Sequence, residues 1–252
     1  MIIDIHAQLG RHPLFEFEQT LDRVLLNMER YGIDRTFLHP VPRMRFLEAN
    51  DTVAEAVEHH PDKFVGFFNV NPMDPKALEE FDRALNLGLK GLMLDLEFHY
   101  SMESPMPPGD KYLPPLLERA VKGNLPVIIS SPNIRVASRT SENVALQMHH
   151  GLDEIMRRFP ELRMMVDWFW PGITELCIRH LNLYVDTAGA GAGRITQLVS
   201  RLGAGRQLFG SNSPRFHPGN HMKTIKWARL NPREKKLILG GNAEKIFKDI
   251  LL

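Results

Sequence analysis

Short runs of apolar and β-branched residues alternate along the chain with longer stretches in which apolar residues recur every three or four positions. The short runs are typical of buried strands, and the longer stretches are typical of amphipathic helices. This alternation predicts βαβ units and a parallel sheet. Eight strands are predicted, over Ile2–Ile5, Thr36–His39, Phe64–Asn69, Gly91–Asp95, Pro126–Ile129, Arg163–Asp167, Leu183–Asp186 and Gln207–Gly210.

The helical stretches lie between the predicted strands, and glycines follow several of them, as expected at helix C-termini. A further C-terminal helix is expected at about 242–251, and residues 1–252 are expected to form one domain. The other predicted helices cover Phe17–Tyr31, Asp51–His60, Pro75–Leu87, Leu113–Lys122, Ser141–Phe159, Thr174–Leu181 and Ile195–Leu202.

Eight such units can close into a (β/α)₈ TIM barrel or form an open, doubly wound sheet. No G-x-G-x-x-G turn follows the first strand, so the fingerprint of a dinucleotide-binding fold is missing. Polar residues instead cluster at the predicted carboxyl ends of strands, where barrel enzymes place their sites. We therefore predict a barrel, with a long loop over Phe98–Lys111 that is either a binding loop or a surface excursion.

Composition narrows the functional classes. With 252 residues, 43% of them hydrophobic, and a net charge of +1, the chain resembles an ordinary globular protein with no general attraction for nucleic acid. Its one cysteine, Cys177, excludes a disulfide framework. No signal peptide or membrane-length apolar run is evident, so we expect a cytoplasmic protein that does not bind membranes.

Six segments, in order along the chain, resemble motifs of the amidohydrolase-related metal-dependent hydrolases and decarboxylases. The first resembles a strand Ile-Asp-x-His-x-His, the second Leu-Pro-Val-x-x-His, and the fifth Phe-Gly-Ser-Asp-x-Pro. Together they span nearly the whole chain and imply a barrel. The six segments are Ile3–Gln8, Leu125–Ser130, Phe159–Leu162, Leu183–Thr187, Leu208–Pro214 and Gly241–Phe247.

The resemblance implies a divalent metal, usually zinc, held by three histidines, sometimes a fourth, and an aspartate. Only His6 keeps the ligand type of its position. Zinc prefers imidazole and anionic ligands, and a catalytic site needs about three of them from the protein. We therefore expect no tightly bound zinc and assign His6 as a metal ligand only if a metal binds. The other four ligand positions hold Gln8, Ser130, Trp168 and Asn212.

The replacement at Asn212 also leaves the position without a general base. The resembled family uses the carboxylate at this position to take a proton from the metal-bound water, which an amide cannot do. His6 is then the candidate acid or base, with Asp95 or His99 as its partner and Asn212 positioning water or substrate. The plainer alternative is that Asp95 caps a loop and His99 is solvated. His39, before Pro40, either faces the pocket or bonds nearby backbone.

Arginines are more frequent than acidic residues in the loops that follow the strands. Because a guanidinium suits bidentate binding of carboxylates, Arg43, Arg45 and Arg215 are candidates to bind a small anion, although charged surface loops are also common. Gln8, Ser130 and Trp168 complete the predicted substrate-binding set.

Two functional interpretations remain open. The first is a hydrolase or decarboxylase that acts on a small, anionic compound without tightly bound zinc, and the frequency of catalysis on this fold favours it only by analogy. The second is a non-catalytic barrel, a pseudoenzyme that binds a ligand or a protein partner. A reconstructed scaffold whose site was not preserved would show the same replacements. A homo-oligomer is expected from the resemblance.

Overall fold

The computed structural model describes residues 1–12, 16–42, 46–95, 111–130, 142–167 and 172–251. Its nine described strands include a short β2 that extends β1 as an antiparallel hairpin. The strands are β1 (Ile3–Arg11), β2 (Glu18–Gln19), β3 (Arg35–Pro40), β4 (Phe64–Asn69), β5 (Gly91–Asp95), β6 (Val127–Ser130), β7 (Met164–Asp167), β8 (Leu183–Asp186) and β9 (Gln207–Leu208).

Helices connect successive strands. The first has its N-terminus capped by the Thr20 hydroxyl, which accepts from the Arg23 amide at 3.3 Å, and ends at Gly32 in the left-handed conformation. The α-helices are α1 (Leu21–Tyr31), α2 (Leu47–His59), α3 (Ala77–Asn86), α4 (Leu113–Lys122), α5 (Glu142–Arg158), α6 (Ile173–Arg179), α7 (Ala192–Leu202), α8 (Pro218–Trp227), α9 (Pro232–Lys236), α10 (Asn242–Ile246) and α11 (Lys248–Leu251).

The sheet is a closed (β/α)₈ TIM barrel, as predicted. Strand β1 and strands β3 to β9 pair in chain order, and every one of these pairs is parallel. Backbone hydrogen bonds then join β1 to the segment after β9: the Ile5 amide donates to Phe209, the Asn212 amide to His6, and the Gln8 amide to Ser213, at 2.7–2.9 Å. The barrel closes along this seam between the beginning and the end of the sheet.

The core has two layers. An inner cluster fills the barrel with side chains from most strands, among them Ile5, Phe37, Phe67 and Met165, and Phe247 of the C-terminal segment packs against it. A larger outer cluster lies between the strands and the surrounding helices. Burial of these apolar side chains stabilises the barrel, and the inner packing leaves polar residues to gather at the carboxyl ends of the strands.

The predicted elements agree with the observed ones to within a few residues, apart from the following exceptions. The first strand runs to Arg11 because the β2 hairpin and the seam extend its pairing. The helix predicted from Phe17 begins only at Leu21 for the same reason. Helices α8 and α9 and the short strand β2 were not predicted, and the expected C-terminal helix is divided into α10 and α11.

The predicted loop over Phe98–Lys111 lies outside the described residues, apart from Lys111 itself. Among the residues that the structure describes, no helix has both the length and the apolar character needed to cross a membrane.

Candidate active site

A buried histidine–aspartate pair lies at the carboxyl end of the barrel. The Nδ1 atom of His6, on β1, is 2.5 Å from Oδ2 of Asp186, which ends β8, and both side chains are almost fully buried. The other carboxylate oxygen, Oδ1, accepts from the Ala188 amide at 2.8 Å. We call His6 and Asp186 the inner pair; two hydrogen bonds hold its carboxylate in place.

Gly210 makes room for the carboxylate of the inner pair. A Cβ atom at this position would collide with the Asp186 side chain. The residue belongs to the segment that closes the barrel, so the backbone at the seam forms one wall of the site. Close approach of backbone to a functional group is a common reason for glycine at such a position.

Burial and the neighbouring carboxylates have opposite effects on the pKa of His6. Burial lowers the pKa of the imidazole, but the charge of Asp186 and its hydrogen bond raise it, helped by Asp4 and Asp167, and the net pKa lies above 6.5. The ring is therefore poised to carry a proton. Its Nε2 atom is buried and has no hydrogen-bond partner among the described residues, so the hydrogen bonding of the ring is incomplete within the described part of the chain.

A second imidazole, His39 of β3, lies beside His6, with ring centroids 4.9 Å apart. Its Nδ1 atom is 3.0 Å from the Pro40 carbonyl, to which only an N–H can donate. Burial, with the charge of His6 adding to it and the Pro40 carbonyl opposing it, lowers the pKa of His39 to about 3. His39 is consequently neutral, with its proton on Nδ1.

The positions that resemble the second histidine and the aspartate of the family bond to each other. Nε2 of Gln8 donates to Oδ1 of Asn212 at 2.7 Å. Asn212 has a left-handed backbone with φ of 49°, which asparagine tolerates better than most residues, and its amide donates to the His6 carbonyl. Gln8 is thereby oriented with its Oε1 atom buried and without a described partner.

Asp4 lies below the inner pair and ties β1 to the closing segment. Its Oδ1 atom accepts from the amides of Ser211 and His6. Burial raises the pKa of Asp4 to about 6, against the opposing effect of these hydrogen bonds. The register of β1 against β3 shifts between Asp4 and Ala7, so the strand is irregular where it carries His6.

The structure gives His6 a different carboxylate partner from the one expected. Asp186, from a neighbouring part of the barrel wall, occupies Nδ1, whereas Asp95 ends β5 in register with Ser130. The sequence predicted Asp186 only as the end of a strand, because pairing across 180 residues of chain leaves no local signal. The proposed roles of Asp95 and Asn212 in chemistry stay predictions.

The predicted substrate-binding residues fall into two groups. Ser130 ends β6 with its hydroxyl oxygen buried and without a described partner, and Arg215 is exposed beside Phe216. Three other predicted substrate-binding residues, Arg43, Arg45 and Trp168, lie outside the described residues and stay predictions. The predicted catalytic residue His99 also lies outside them.

The donor set does not fit a divalent metal of the kind that the family resemblance implies. Within the described ranges, no group of three or more His, Cys, Asp or Glu side chains is arranged to hold a metal. The Asn212 oxygen, which stands where the family has a carboxylate ligand, is a neutral amide oxygen and accepts from Gln8.

Comparison with known proteins gives one family. The model of a family described as amidohydrolase matches residues 3–248. No curated protein is similar enough in sequence to count as a match.

Solved structures with the same fold cover nearly the whole chain. A 2,6-dihydroxybenzoate decarboxylase from Rhizobium has a TM-score of 0.79 at 16% identity and covers 98% of both chains. The 5-carboxyvanillate decarboxylase from Sphingomonas paucimobilis has a TM-score of 0.74 at 18% identity and the same coverage. A dihydroxybenzoic acid decarboxylase from Polaromonas sp. JS666, with bound manganese and the inhibitor 2-nitroresorcinol, has a TM-score of 0.78 at 17% identity and covers 98% of this chain and 96% of its own.

Proposed function

The chain belongs to the amidohydrolase family, and on that premise we propose that it is a decarboxylase of a small, anionic carboxylate that works without a tightly bound zinc. In this proposal the inner pair supplies the proton that replaces the departing carboxyl group. Gln8, Ser130 and Asn212 orient the substrate by hydrogen bonds.

The observation that carries the proposal is the inner pair itself. A buried imidazole held at Nδ1 by a carboxylate, with Nε2 without a described partner, is the arrangement by which enzymes transfer protons. The carboxylate fixes the ring orientation and stabilises the imidazolium. A histidine with a merely structural role would satisfy both of its ring nitrogens when it is this deeply buried.

The reaction follows from what the pair can do. Nε2–H of the His6 imidazolium gives its proton to the substrate carbon that bears the carboxylate. The bond from that carbon to the carboxyl group then breaks, its electron pair returns to the substrate's unsaturated system, and CO₂ leaves. Neutral His6, still bonded to Asp186, regains its proton from solvent.

Decarboxylation is favoured over hydrolysis because of the charge at the site. Hydrolysis needs a base that activates water, and the amide of Asn212 cannot serve as one. Protonation of carbon needs an acid, and the raised pKa of His6 provides it. The three structural relatives named above are decarboxylases of aromatic carboxylates, which supports the same choice of reaction and an anionic substrate.

Anion binding would come from the arginine-rich loops. Arg43 and Arg45 follow β3, the strand that carries His39, within a few residues of sequence. Arg215 follows Asn212 and is exposed to solvent. A guanidinium from either loop would neutralise a carboxylate, so we propose all three as substrate-binding residues.

The experiment measures CO₂ release from 2,6-dihydroxybenzoate, 5-carboxyvanillate and a panel of other small carboxylic acids, beside metal content by elemental analysis. We expect activity on at least one acid in protein with far less than one metal per chain, unaffected by a chelator. His6→Asn should lower it by about 10²–10⁴-fold. His180→Asn, which changes a histidine paired with an aspartate elsewhere, should leave it unchanged.

Near-stoichiometric metal that is needed for activity would contradict the proposal, as would full activity of His6→Asn. A non-catalytic, ligand-binding barrel is the second candidate. The hydrogen bond between Gln8 and Asn212 favours it, because these two former ligand positions are engaged with each other. Saturable binding of an acid with no turnover of any compound in the panel would favour that candidate.

A further inference from the structure

Basic residues are concentrated in one short segment that the proposed function does not use. Between Lys223 and Lys236 lie six of the chain's 31 basic residues but only one of its 30 acidic residues. The rest of the chain is consequently net negative, although the net charge of the whole is +1. The expectation that the protein does not bind membranes rests on that net charge and on the lack of a long apolar run, and neither describes how the charge is distributed.

The segment presents one exposed face around a tryptophan. Lys223, Lys226 and Trp227 have the spacing that places side chains on one side of a helix, and Met222 and Ile225 are buried on the other side of α8. Trp227 is 75% exposed. We call this tryptophan and the exposed cations of the segment the basic face: Lys223, Lys226, Trp227, Arg229, Arg233 and Lys236.

The charges of the basic face are not compensated by the described part of the protein. None of its cations forms an ion pair with a described carboxylate. The single acid of the segment, Glu234, accepts from the Asn231 amide at 2.8 Å and so caps α9. Elsewhere, by contrast, seven arginines pair with a carboxylate: Arg83, Arg119, Arg157, Arg158, Arg163, Arg179 and Arg201.

Hydrogen bonds hold the two parts of the basic face together. Nζ of Lys235 donates to the Lys226 carbonyl at 2.6 Å and ties α9 to the end of α8. The Arg229 amide donates to Oγ1 of Thr196 on α7 at 3.0 Å. Lys226 also lies in the last turn of α8, where a cation offsets the helix dipole. That effect accounts for one lysine, but it explains neither the other cations nor the exposure of Trp227.

We propose that the basic face binds the surface of a bilayer that contains anionic lipids, with Trp227 at the level of the headgroups. Anionic headgroups attract clusters of lysine and arginine that lie close to the surface. Tryptophan is enriched at the boundary between a bilayer and water, because its ring is apolar and its N–H is polar. Such binding is peripheral and requires no helix that crosses the membrane. The inference is independent of the proposed reaction.

The shape of the basic face favours a bilayer over a nucleic acid. Its side chains project from the outer side of a helix and of the turn that follows, and none of them lines the cavities described beside α2 and beside α5. Proteins that bind single-stranded nucleic acids combine a positively charged groove with several aromatic side chains on which successive bases stack. One tryptophan among cations on a convex surface instead suits a planar partner.

The basic face lies away from the candidate active site. Before it on α8, Nε2 of His221 is 3.0 Å from Oγ1 of Thr187, the residue after Asp186. After it, Gly240 packs against the Met1 carbonyl, at the start of the chain. Since the basic face follows His221 and precedes Gly240, it lies on the flank of the barrel between the two ends. A bilayer bound there leaves the carboxyl end of the barrel open to substrate.

The test measures cosedimentation of the full-length protein with vesicles of phosphatidylcholine, with and without about 30% phosphatidylserine. We expect binding to the anionic vesicles alone, and its loss in about 0.5 M NaCl, because salt screens the attraction. Lys226→Gln together with Arg229→Gln should weaken binding about 30-fold, since each charge near the surface contributes about fivefold. Lys76→Gln together with Lys122→Gln removes the same charge from exposed positions elsewhere and should leave binding unchanged.

Trp227 gives a direct signal of its own environment. Its fluorescence should shift to shorter wavelength when anionic vesicles are added, and Trp227→Phe should lose that shift. Trp227→Ala should weaken binding about tenfold, because the bilayer no longer covers the apolar surface of the ring. The salt dependence and the fluorescence of the unaltered protein test the proposal even if a variant does not fold.

Failure of the unaltered protein to bind anionic vesicles would overturn the proposal, as would equal binding by the variant that lacks Lys226 and Arg229. Tighter binding of the basic face to a single-stranded or duplex oligonucleotide than to vesicles would assign the face to nucleic acid. If sedimentation shows an oligomer that dissociates in Trp227→Ala, the face belongs to an interface with a second copy of this chain. Either of these results also overturns the proposal.

Discussion

The described part of the barrel contains a second histidine–aspartate pair, on its outside, and the two pairs differ in how completely they are bonded. Nε2 of His180, just after α6, lies 2.7 Å from Oδ1 of Asp153 on α5. Asp153 also pairs with Arg179 and Arg157. We call His180 and Asp153 the outer pair. Its carboxylate is shared among three cationic or polar partners, whereas Asp186 bonds to one histidine and one backbone amide.

The surroundings of the two carboxylates explain the difference. At the outer pair, burial raises the pKa of Asp153. The hydrogen bond from His180 and the charges of the two arginines lower the pKa by more than burial raises it, so the net pKa lies below 3.8. Its charge is fully compensated by protein groups, so the pair fastens α5 to α6. At the inner pair, Nε2 of His6 has no described partner. The bonding of the inner pair is therefore incomplete within the described residues, whereas the carboxylate of the outer pair is paired with three side chains.

The largest expected effect comes from breaking the inner pair with Asp186→Asn. The amide keeps the shape but loses the charge that stabilises the imidazolium, so the pKa of His6 should fall and decarboxylation should drop by about 100-fold or more. Measured turnover and the NMR titration of His6 check both parts. Asp153→Asn is the matched control, and an equal loss of turnover in the two variants would erase the distinction between the pairs.

A smaller effect is expected from moving the inner carboxylate without changing its chemistry. Gly210→Ala places a methyl group against the Asp186 side chain. We expect a loss of about 1–3 kcal/mol in the free energy of unfolding, together with reduced turnover because Asp186 moves away from His6. Chemical denaturation and kinetics on one preparation test this. Gly205→Ala meets no atom within 4 Å and is the control; equal destabilisation of both variants would contradict the proposed collision.

Removing the outer carboxylate should affect stability and little else. Asp153→Asn leaves His180 and two arginines without their common partner, and a cost of about 1 kcal/mol in the free energy of unfolding is expected for ion pairs of this exposure. Denaturation by urea measures it. Turnover should stay within about twofold of the unaltered protein, since an ion pair at the surface does not reach the site.

The pH dependence should separate the two pairs by sign. Since the pKa of Asp153 is depressed in the folded state, the outer pair stabilises the fold above about pH 3.8, and this contribution is lost as the pH falls through the lowered pKa. The pKa of His6 is raised, so the inner pair stabilises the fold fully below pH 6.5 and loses that contribution as the pH rises through the raised pKa.

Denaturation at pH 3, 6 and 9 tests this prediction, with each pair isolated by its own variant. The stability cost of Asp153→Asn should shrink at pH 3, and that of Asp186→Asn should shrink at pH 9. A cost that moves the same way for both variants would refute the assignment of opposite shifts.

The sequence predicted the barrel because strands and helices have local periodicities, and because six motifs in order favour one topology. It could not predict the partner of His6. Asp186 lies at a strand end like Asp95, and neither of their strands, β8 and β5, pairs with β1. Only the closure of the barrel decides which of the two carboxylates reaches His6. The register shift between Asp4 and Ala7 was equally invisible, since a one-residue bulge leaves the hydrophobic pattern almost unchanged.

The replacement of the family's metal ligands could be predicted from the sequence alone, because the ability to bind a metal depends on residue type. The new bonding between Gln8 and Asn212 was not, because it depends on the left-handed backbone of Asn212 and on the seam that brings the two residues together.

The seam also determines how late in the synthesis of the chain the inner pair can form. His6 emerges from the ribosome among the first residues, but its partner comes 180 residues later and the wall that holds the partner later still. Joining groups so distant in sequence costs loop-closure entropy that only the completed sheet repays. A nascent chain therefore carries an unpaired His6 until about residue 213 has been made, and acquires the inner pair only when the last strand docks on the first.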